Sequence, residues 1–334
     1  MKRAIMRGVA LTVALILMTT ILFGCGQSAK TDTPAPADTS SKAPTPSVIK
    51  VGTLMTDDIL PLWVALDKGL MKSAGLDVEV TTFQSAQEQV AAMTAGQIDA
   101  MMTDMVVPVQ LNATGTPVKA VTVCQTAPAG IVAGKNSGIT QLSQLAGVGT
   151  GCASPTAMEY IYDTALKNAG IPADQIKTTE IKKLPVRLQM LSAGQLKAAV
   201  LPWTLFTMAQ QQGGVALLDQ DQAASLTSTV LVFSQKFLDT KDADATLKTF
   251  FAQYNNAVDA INANPDSFRA LLIKQAKLPD AIANTYQVRQ YPKVSVPDSE
   301  QFESVVSWML DKGYIKNEQS SDDLIYQVKG YSYK

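Results

Sequence analysis

From residue 48 to residue 234 the chain alternates short apolar runs with amphipathic stretches, and it does so twice. Strands alternating with helices of about 10–15 residues indicate a mostly parallel sheet covered on both faces. In the first set the apolar runs fall at 48–54, 76–82, 98–102 and 118–124. Between them, Asp58 with Pro61 three residues on reads as an acidic cap and a first-turn proline. Ser85 reads as the cap of a second helix, and a third begins at Met105. In the second set the strands are expected at 130–133, 148–150, 176–181, 196–201 and 228–233. Helices are expected at 141–145, from Ser154-Pro155 through 167, at 186–193 and at 204–212. Residues 244–331 read as largely helical, with turns at Asn264-Pro265, Leu278-Pro279 and Val296-Pro297.

The two sets share an internal echo. Met93-Thr94-Ala95-Gly96-Gln97-Ile98-Asp99-Ala100 is matched by Leu191-Ser192-Ala193-Gly194-Gln195-Leu196-Lys197-Ala198. Each is a helix that stops at glycine, turns, and feeds a buried strand. Because the surrounding helix–strand order repeats as well, the echo indicates two lobes of similar architecture. Ligands of open α/β sheets bind beyond the carboxyl ends of the strands, so two such lobes can present those ends to one cleft.

Composition narrows the chemistry. The 334 residues suggest roughly two domains. With 46% hydrophobic and 17% charged residues, the chain can bury real cores. It contains no histidine. That removes an imidazole general base, a Ser-His-Asp or Cys-His relay and His-ligated zinc. A net charge of −1 gives no electrostatic footprint for nucleic acid. The carboxylates and thiols show no metal cluster, and no cofactor is implied.

The N-terminus reads as an address. Lys2, Arg3 and Arg7 form a positive region, an apolar run follows over 9–23, and Gly24-Cys25 closes it. This resembles the bacterial lipobox, in which Cys25 is lipidated and becomes the first residue of the mature chain. Residues 1–24 are then a signal peptide. The alternatives are an ordinary signal peptide or an uncleaved anchor helix. Residues 25–47, with Pro34, Pro36, Pro44 and Pro46, read as the lipidated cysteine and an extended tether. A lipid anchor with two or more chains attaches stably. The mature body keeps three arginines, Arg187, Arg269 and Arg289, and is mildly acidic. Cys124 and Cys152 are its other thiols, and one disulfide is possible outside the cytosol.

Residues 59–70, followed by Gly75-Leu76-Asp77-Val78-Glu79, resemble the opening of bacterial solute-binding proteins of the nitrate/sulfonate/taurine type, grouped with the NMT1/THI5-like proteins. The stretches 96–100, 115–121 and 138–147 match in the same order. The resemblance covers about 48–218. It implies a type II periplasmic-binding-protein fold: two doubly wound α/β lobes joined by a hinge, with a helical C-terminal extension. One lobe is expected from 48–125 plus 226–334 and the other from 126–225. It further implies a protein that binds a small solute and delivers it to an ABC permease with its ATPase; the lipobox and tether independently fit an extracytoplasmic, lipid-anchored chain, and a monomer is expected.

The strand-to-helix corners are where free backbone amides point outward. They nominate Thr56 and Asp57 with Asp58, Ser85, Thr103 and Asp104, Ser154 and Thr156, and Trp203 as ligand residues. For Asp58, Ser85, Asp104 and Thr156 the competing role is plain helix capping. The corner at Asp104 matches a ligand-contacting loop of the family. Many relatives carry an acidic residue near Trp203, where a tryptophan offers either a stacking face or a packing residue. Trp63 is a core residue or a cleft wall, and Gln125 stands where the chain first crosses between lobes. Asp57, Asp58 and Asp104 near the cleft oppose an anion and Trp203 adds an aromatic surface, which together tilt the solute toward a neutral or cationic nitrogen heterocycle such as a pyrimidine. The alternatives are a nitrate- or sulfonate-type anion, a surface receptor without a transporter, and an enzyme with Cys152 as nucleophile.

Overall fold

The computed structural model describes residues 48–333 apart from Ala127, 278–281 and 283–284. The signal segment, Cys25 and the tether lie outside the described residues. Ten strands are found among those described: β1 Ile49–Thr53, β2 Val78–Thr82, β3 Ala100–Asp104, β4 Val118–Thr126, β5 Ala129–Ala133, β6 Gly149–Cys152, β7 Lys177–Glu180, β8 Ala198–Pro202, β9 Val215–Leu218 and β10 Ser228–Ser234. They form two five-stranded sheets, in the orders β2-β1-β3-β10-β4 and β7-β6-β8-β5-β9. Each sheet with its helices is called a lobe below.

The sheets are mostly parallel, as expected, with one reversed strand in each. β1 is parallel to β2 and β3, but β10 is antiparallel to β3 and β4. In the second sheet β6 is parallel to β7 and β8, and β5 is antiparallel to β8 and β9. The chain passes from β4 to β5 and from β9 to β10 by short connections. Both connections pass from one sheet to the other, and the strand that enters each sheet runs antiparallel to both of its neighbours.

The echo proves to be a topological equivalence. β3 and β8, which follow the two matched turns, hold the same central place in the two orders. Gly96 and Gly194 both take a left-handed conformation, φ 66° and 72°, as the helix-to-strand turn requires. The residues two places on then lie over a glycine of the neighbouring strand. A Cβ on Gly52 would stand 2.7 Å from Ile98 Cδ1, and one on Gly151 2.6 Å from Leu196 Cδ1.

The longer helices are α1 Leu60–Asp67, α2 Ala86–Thr94, α3 Val106–Ala113, α4 Ala157–Asn168, α5 Leu184–Ser192, α6 Trp203–Gln211, α7 Ala243–Ala263 and α8 Ser299–Asp311. On one face of the first sheet, Trp63 and Val64 of α1 pack with Phe250 and Tyr254 of α7. On the other, Val107 of α3 packs with Phe302 and Met309 of α8. Burying one such side chain contributes about 1.5–3 kcal/mol. Ala157 and Tyr160 of α4 join that second cluster, so a helix of the second lobe is seated against the first. The second lobe has its own core around Ile131, Tyr162 and Val200.

Three local expectations change. Neither Asp57 nor Asp58 caps α1, whose N-cap is Ile59 with no side-chain bond. Pro155 precedes Thr156, the N-cap of α4, so it sits outside the first turn and removes no helical donor. Among the described residues the tail is less helical than its pattern: after Gln275 the next helix of two turns or more begins at Ser299. Pro292 and Pro297 interrupt that interval, where a proline ring excludes helix.

Candidate functional site

The first corner follows β1. Thr56 Oγ1 donates to Asp58 Oδ1. Asp58 is buried, and its pKa is raised to about 6 by that burial. The Thr56 bond and the charge of Arg289 oppose the rise, and neighbouring Asp57 adds to it. The Asp57 carboxylate faces the other way, into the C-terminal segment. Its Oδ2 accepts from Tyr286 Oη at 2.8 Å and from Arg289 Nε at 3.2 Å. Its backbone carbonyl accepts from Tyr291 Oη at 2.7 Å. Residues 286–291, which lie outside any helix, thus bring two tyrosines and an arginine onto this corner.

The third corner joins the lobes. Asp104 ends β3, and its Oδ1 accepts from the N–H groups of Val106 (2.9 Å) and Val107 (3.2 Å) in the first turn of α3. Its Oδ2 accepts from the N–H of Ala157, the first residue of α4, at 3.2 Å. Asp104 therefore caps one helix in its own lobe and the next helix across the gap. Burial raises its pKa, and the three backbone donors counter part of that.

The other nominated residues divide between capping, packing and open polar groups. Ser85 caps α2 by accepting from Glu88 N at 3.3 Å. Thr156 caps α4 by accepting from Glu159 N at 3.4 Å, and it donates to Ala153 O at 2.7 Å. Ser154 N donates to Glu180 Oε2 at 3.0 Å. Thr103 is buried in β3 opposite Val230. Trp63 belongs to the first lobe's core. Gln125 is buried near the end of β4, and its Nε2 has no hydrogen-bond partner among the described residues. The same holds for Thr204 Oγ1 and Thr227 Oγ1.

Trp203 opens α6 and is 5% exposed. Its ring end lies against β5, where a Cβ on Gly130 would meet Cη2 and Cζ3 at 2.7 Å. Phe206 meets the ring edge-on, and the Arg289 guanidinium lies 5.6 Å from its centroid. The expected stacking face is thus packed within the chain, and it supports Arg289. Sequence reading passed over Arg289, Tyr286 and Tyr291 because it assigned them to a helical tail. The one usable signal was that Arg289 is among only three arginines in the body.

Among the described residues three grooves lie between the lobes, and two of them border the corners. One, of about 530 Å³, sets Ala86, Val107 and Gln110 opposite Ser154, Pro155 and Lys182. The other, of about 440 Å³, sets Met55 and Ala276 opposite Leu184, Leu188 and Leu205. Cys124 and Cys152 are both free and buried, in the cores of different lobes, so they form no disulfide. Burial pushes the Cys152 thiol up to about 12, far from nucleophile range. No group of three or more metal-ligating side chains occurs among the described residues, and no described helix is long and apolar enough to cross a membrane.

Two mixed α/β sheets joined by paired crossings, with corner residues of one touching helices of the other, define the periplasmic-binding-protein fold. Solved structures agree. The alkanesulfonate-binding protein SsuA of Xanthomonas axonopodis pv. citri, bound to MOPS, matches with a TM-score of 0.73 at 13% identity, over 85% of this chain and 100% of that one. The zinc-bound ligand-binding component of an ABC-type import system from Staphylococcus aureus matches at 0.71 and 16%, over 84% and 97%. The periplasmic nitrate-binding protein NrtA of Synechocystis PCC 6803 matches at 0.68 and 14%, over 84% and 86%. No curated protein matches the chain in sequence. The NMT1/THI5-like family model matches residues 56–268, and the chain belongs to that family.

Proposed function

We propose that this protein is the solute-capturing component of an ABC importer. It holds a small organic solute between two lobes, 48–125 with 226–334 and 126–225, and hands it to a permease served by an ATPase. It acts as a monomer on the extracytoplasmic face, attached through a lipid on Cys25. The observation that carries this reading is the meeting of strand-end corners across the lobes, Asp104 with Ala157 and Arg289 with Trp203. Such contacts form and break when lobes close and open around a ligand. The unpartnered polar groups of Gln125, Thr204 and Thr227 support the reading, since buried polar atoms are paired in the great majority of cases. Catalysis has little to draw on: the chain has no histidine, and the Cys152 thiol stays protonated.

The preference for a neutral or cationic heterocycle rested on three aspartates and on the face of Trp203, which is packed within the chain. Within the chain, Asp57 is paired with Arg289 and Asp104 with three backbone donors, which leaves Asp58 as its remaining support. The capture reading is tested by native mass spectrometry on protein purified from its own host. A bound small molecule should be present, be lost on unfolding, and on re-addition shrink the radius of gyration in X-ray scattering. A chain that carries no such mass, and whose scattering no added solute changes, would refute it.

A further inference from the structure

The three arginines of the body are used differently. Arg187 is 1% exposed and fully occupied: Nε and Nη2 donate to Ile181 O at 3.1 and 2.7 Å, and Nη1 donates to Val200 O at 2.7 Å. Arg269 donates from Nε to Tyr286 O at 2.7 Å and pairs with Asp266 at the surface. Arg289 is held on two sides only. Its Nε edge is fixed by Asp57, which Tyr286 holds in turn, and its plane lies against Trp203. Nη1 and Nη2 are both buried and have no hydrogen-bond partner among the described residues. Leaving charged donors buried and unpaired is costly, and a guanidinium edge is shaped to take two oxygens of one acid group. Asp57 belongs to the first lobe and Trp203 to the second, so this edge lies where the lobes meet.

We propose that the free guanidinium edge of Arg289 receives a carboxylate or sulfonate of the solute as a forked pair. The inference rests on the solute-capture reading and specifies its ligand class as an organic oxyanion. Asp57 and Trp203 are then positioning residues that aim the arginine. Arg289 lies beyond the residues matched by the family model.

The test compares acid and amide pairs by calorimetry at pH 7 on the full chain: benzoate with benzamide, and ethanesulfonate with ethanesulfonamide. At least one acid should bind tenfold or more tighter than its amide. Arg289→Gln should weaken that acid at least 30-fold and leave the amide unchanged. Arg289→Lys keeps the charge without the fork and should fall between. Melting curves of both variants establish that they fold. Acids that bind no tighter than their amides, or an Arg289→Gln protein that keeps acid affinity, would overturn the proposal. So would a co-purified solute that lacks an acidic oxygen group; lobe closure by that solute would leave the capture reading standing. A protein that co-purifies with nothing and closes on nothing would overturn both.

Discussion

The carboxylate of Asp104, at the end of β3, accepts a hydrogen bond from the backbone N–H of Ala157 at 3.2 Å, across the boundary between the lobes. The same carboxylate caps α3 through Val106 and Val107. One side chain thereby serves local helix stability with one oxygen and lobe closure with the other.

Asp104→Ala should therefore have two separable effects. Loss of the cap costs about 1 kcal/mol of stability, to be read from urea denaturation. Loss of the cross-lobe acceptor should enlarge the radius of gyration of the unliganded protein in X-ray scattering. Asp104→Asn, which can still cap, should keep the stability and show only the opening. Unchanged scattering in both variants would show that the contact does not hold the lobes.

Asp58 makes stability depend on pH in a defined sense. Its folded pKa, about 6, lies above its ordinary value of 3.8, so the folded state favours the protonated form. The associated stability is fully present below about pH 4 and is lost as pH rises through 6. Asp104, also raised, acts in the same direction. Thr56, Asp57 and Arg289 act on the Asp58 carboxyl, while Cys124, Tyr254 and Tyr291 feel its charge. Asp58→Asn should melt higher than the parent at pH 8, by the equivalent of about 1–3 kcal/mol, with the gap closing toward pH 4. Parallel melting-temperature curves from pH 4 to 8 would contradict this.

A second cross-lobe contact is ionic and aromatic. Glu159, buried in α4, accepts from Tyr314 Oη at 2.8 Å and pairs with Lys312 at 3.0 Å. Asp163, one turn on, pairs with Lys312 at 2.9 Å and accepts from Trp308 Nε1 at 3.0 Å. Its carboxylate partners raise the Lys312 pKa against its burial. Lys312 is partly exposed, so screening reduces the value of the pair. Lys312→Met should cost about 1–2 kcal/mol in urea denaturation, much of it from leaving Glu159 without its cation. Lys312→Arg should restore most of it. A neutral Lys312→Met would assign the contact to tyrosine alone.

Gly130 is a packing requirement for Trp203. A Cβ there would stand 2.7 Å from two ring carbons and 2.7 Å from the carbonyl oxygen of Leu218, which is backbone and cannot swing away. Gly130→Ala should destabilise by about 1–3 kcal/mol and shift the tryptophan emission as the ring moves. A variant that melts like the parent with unchanged emission would mean that β5 absorbs the strain.

Much of this site was legible residue by residue but not as a constellation. Ser85 and Thr156 were nominated as caps or ligands, and both cap. Asp104 was nominated at its corner, but its second oxygen acts on a residue 53 positions away. For Trp203 the choice between a stacking face and a packing residue stayed open, because its burial comes from Gly130 and Arg289, 73 and 86 positions distant, and local pattern carries no such information. Arg289 and Tyr286 were missed for the same reason: their partner, Asp57, lies more than two hundred residues earlier.

The order and type of most strands and helices followed from hydrophobic period and glycine punctuation, which act over a few residues. The repeated turn at Gly96 and Gly194 even marked the equivalent central strands, because a helix that must stop and feed a buried strand has few chemical solutions. Tertiary structure decided the rest. It reversed β5 and β10, each of which enters its sheet from the other lobe and pairs antiparallel with both of its neighbours. It turned two of three supposed anion-repelling carboxylates into paired groups, and it left the guanidinium edge of Arg289 buried without a hydrogen-bond partner among the described residues. Charge in a site is the sum over whatever the fold brings within a few ångströms, and that sum is not written in any one stretch of chain.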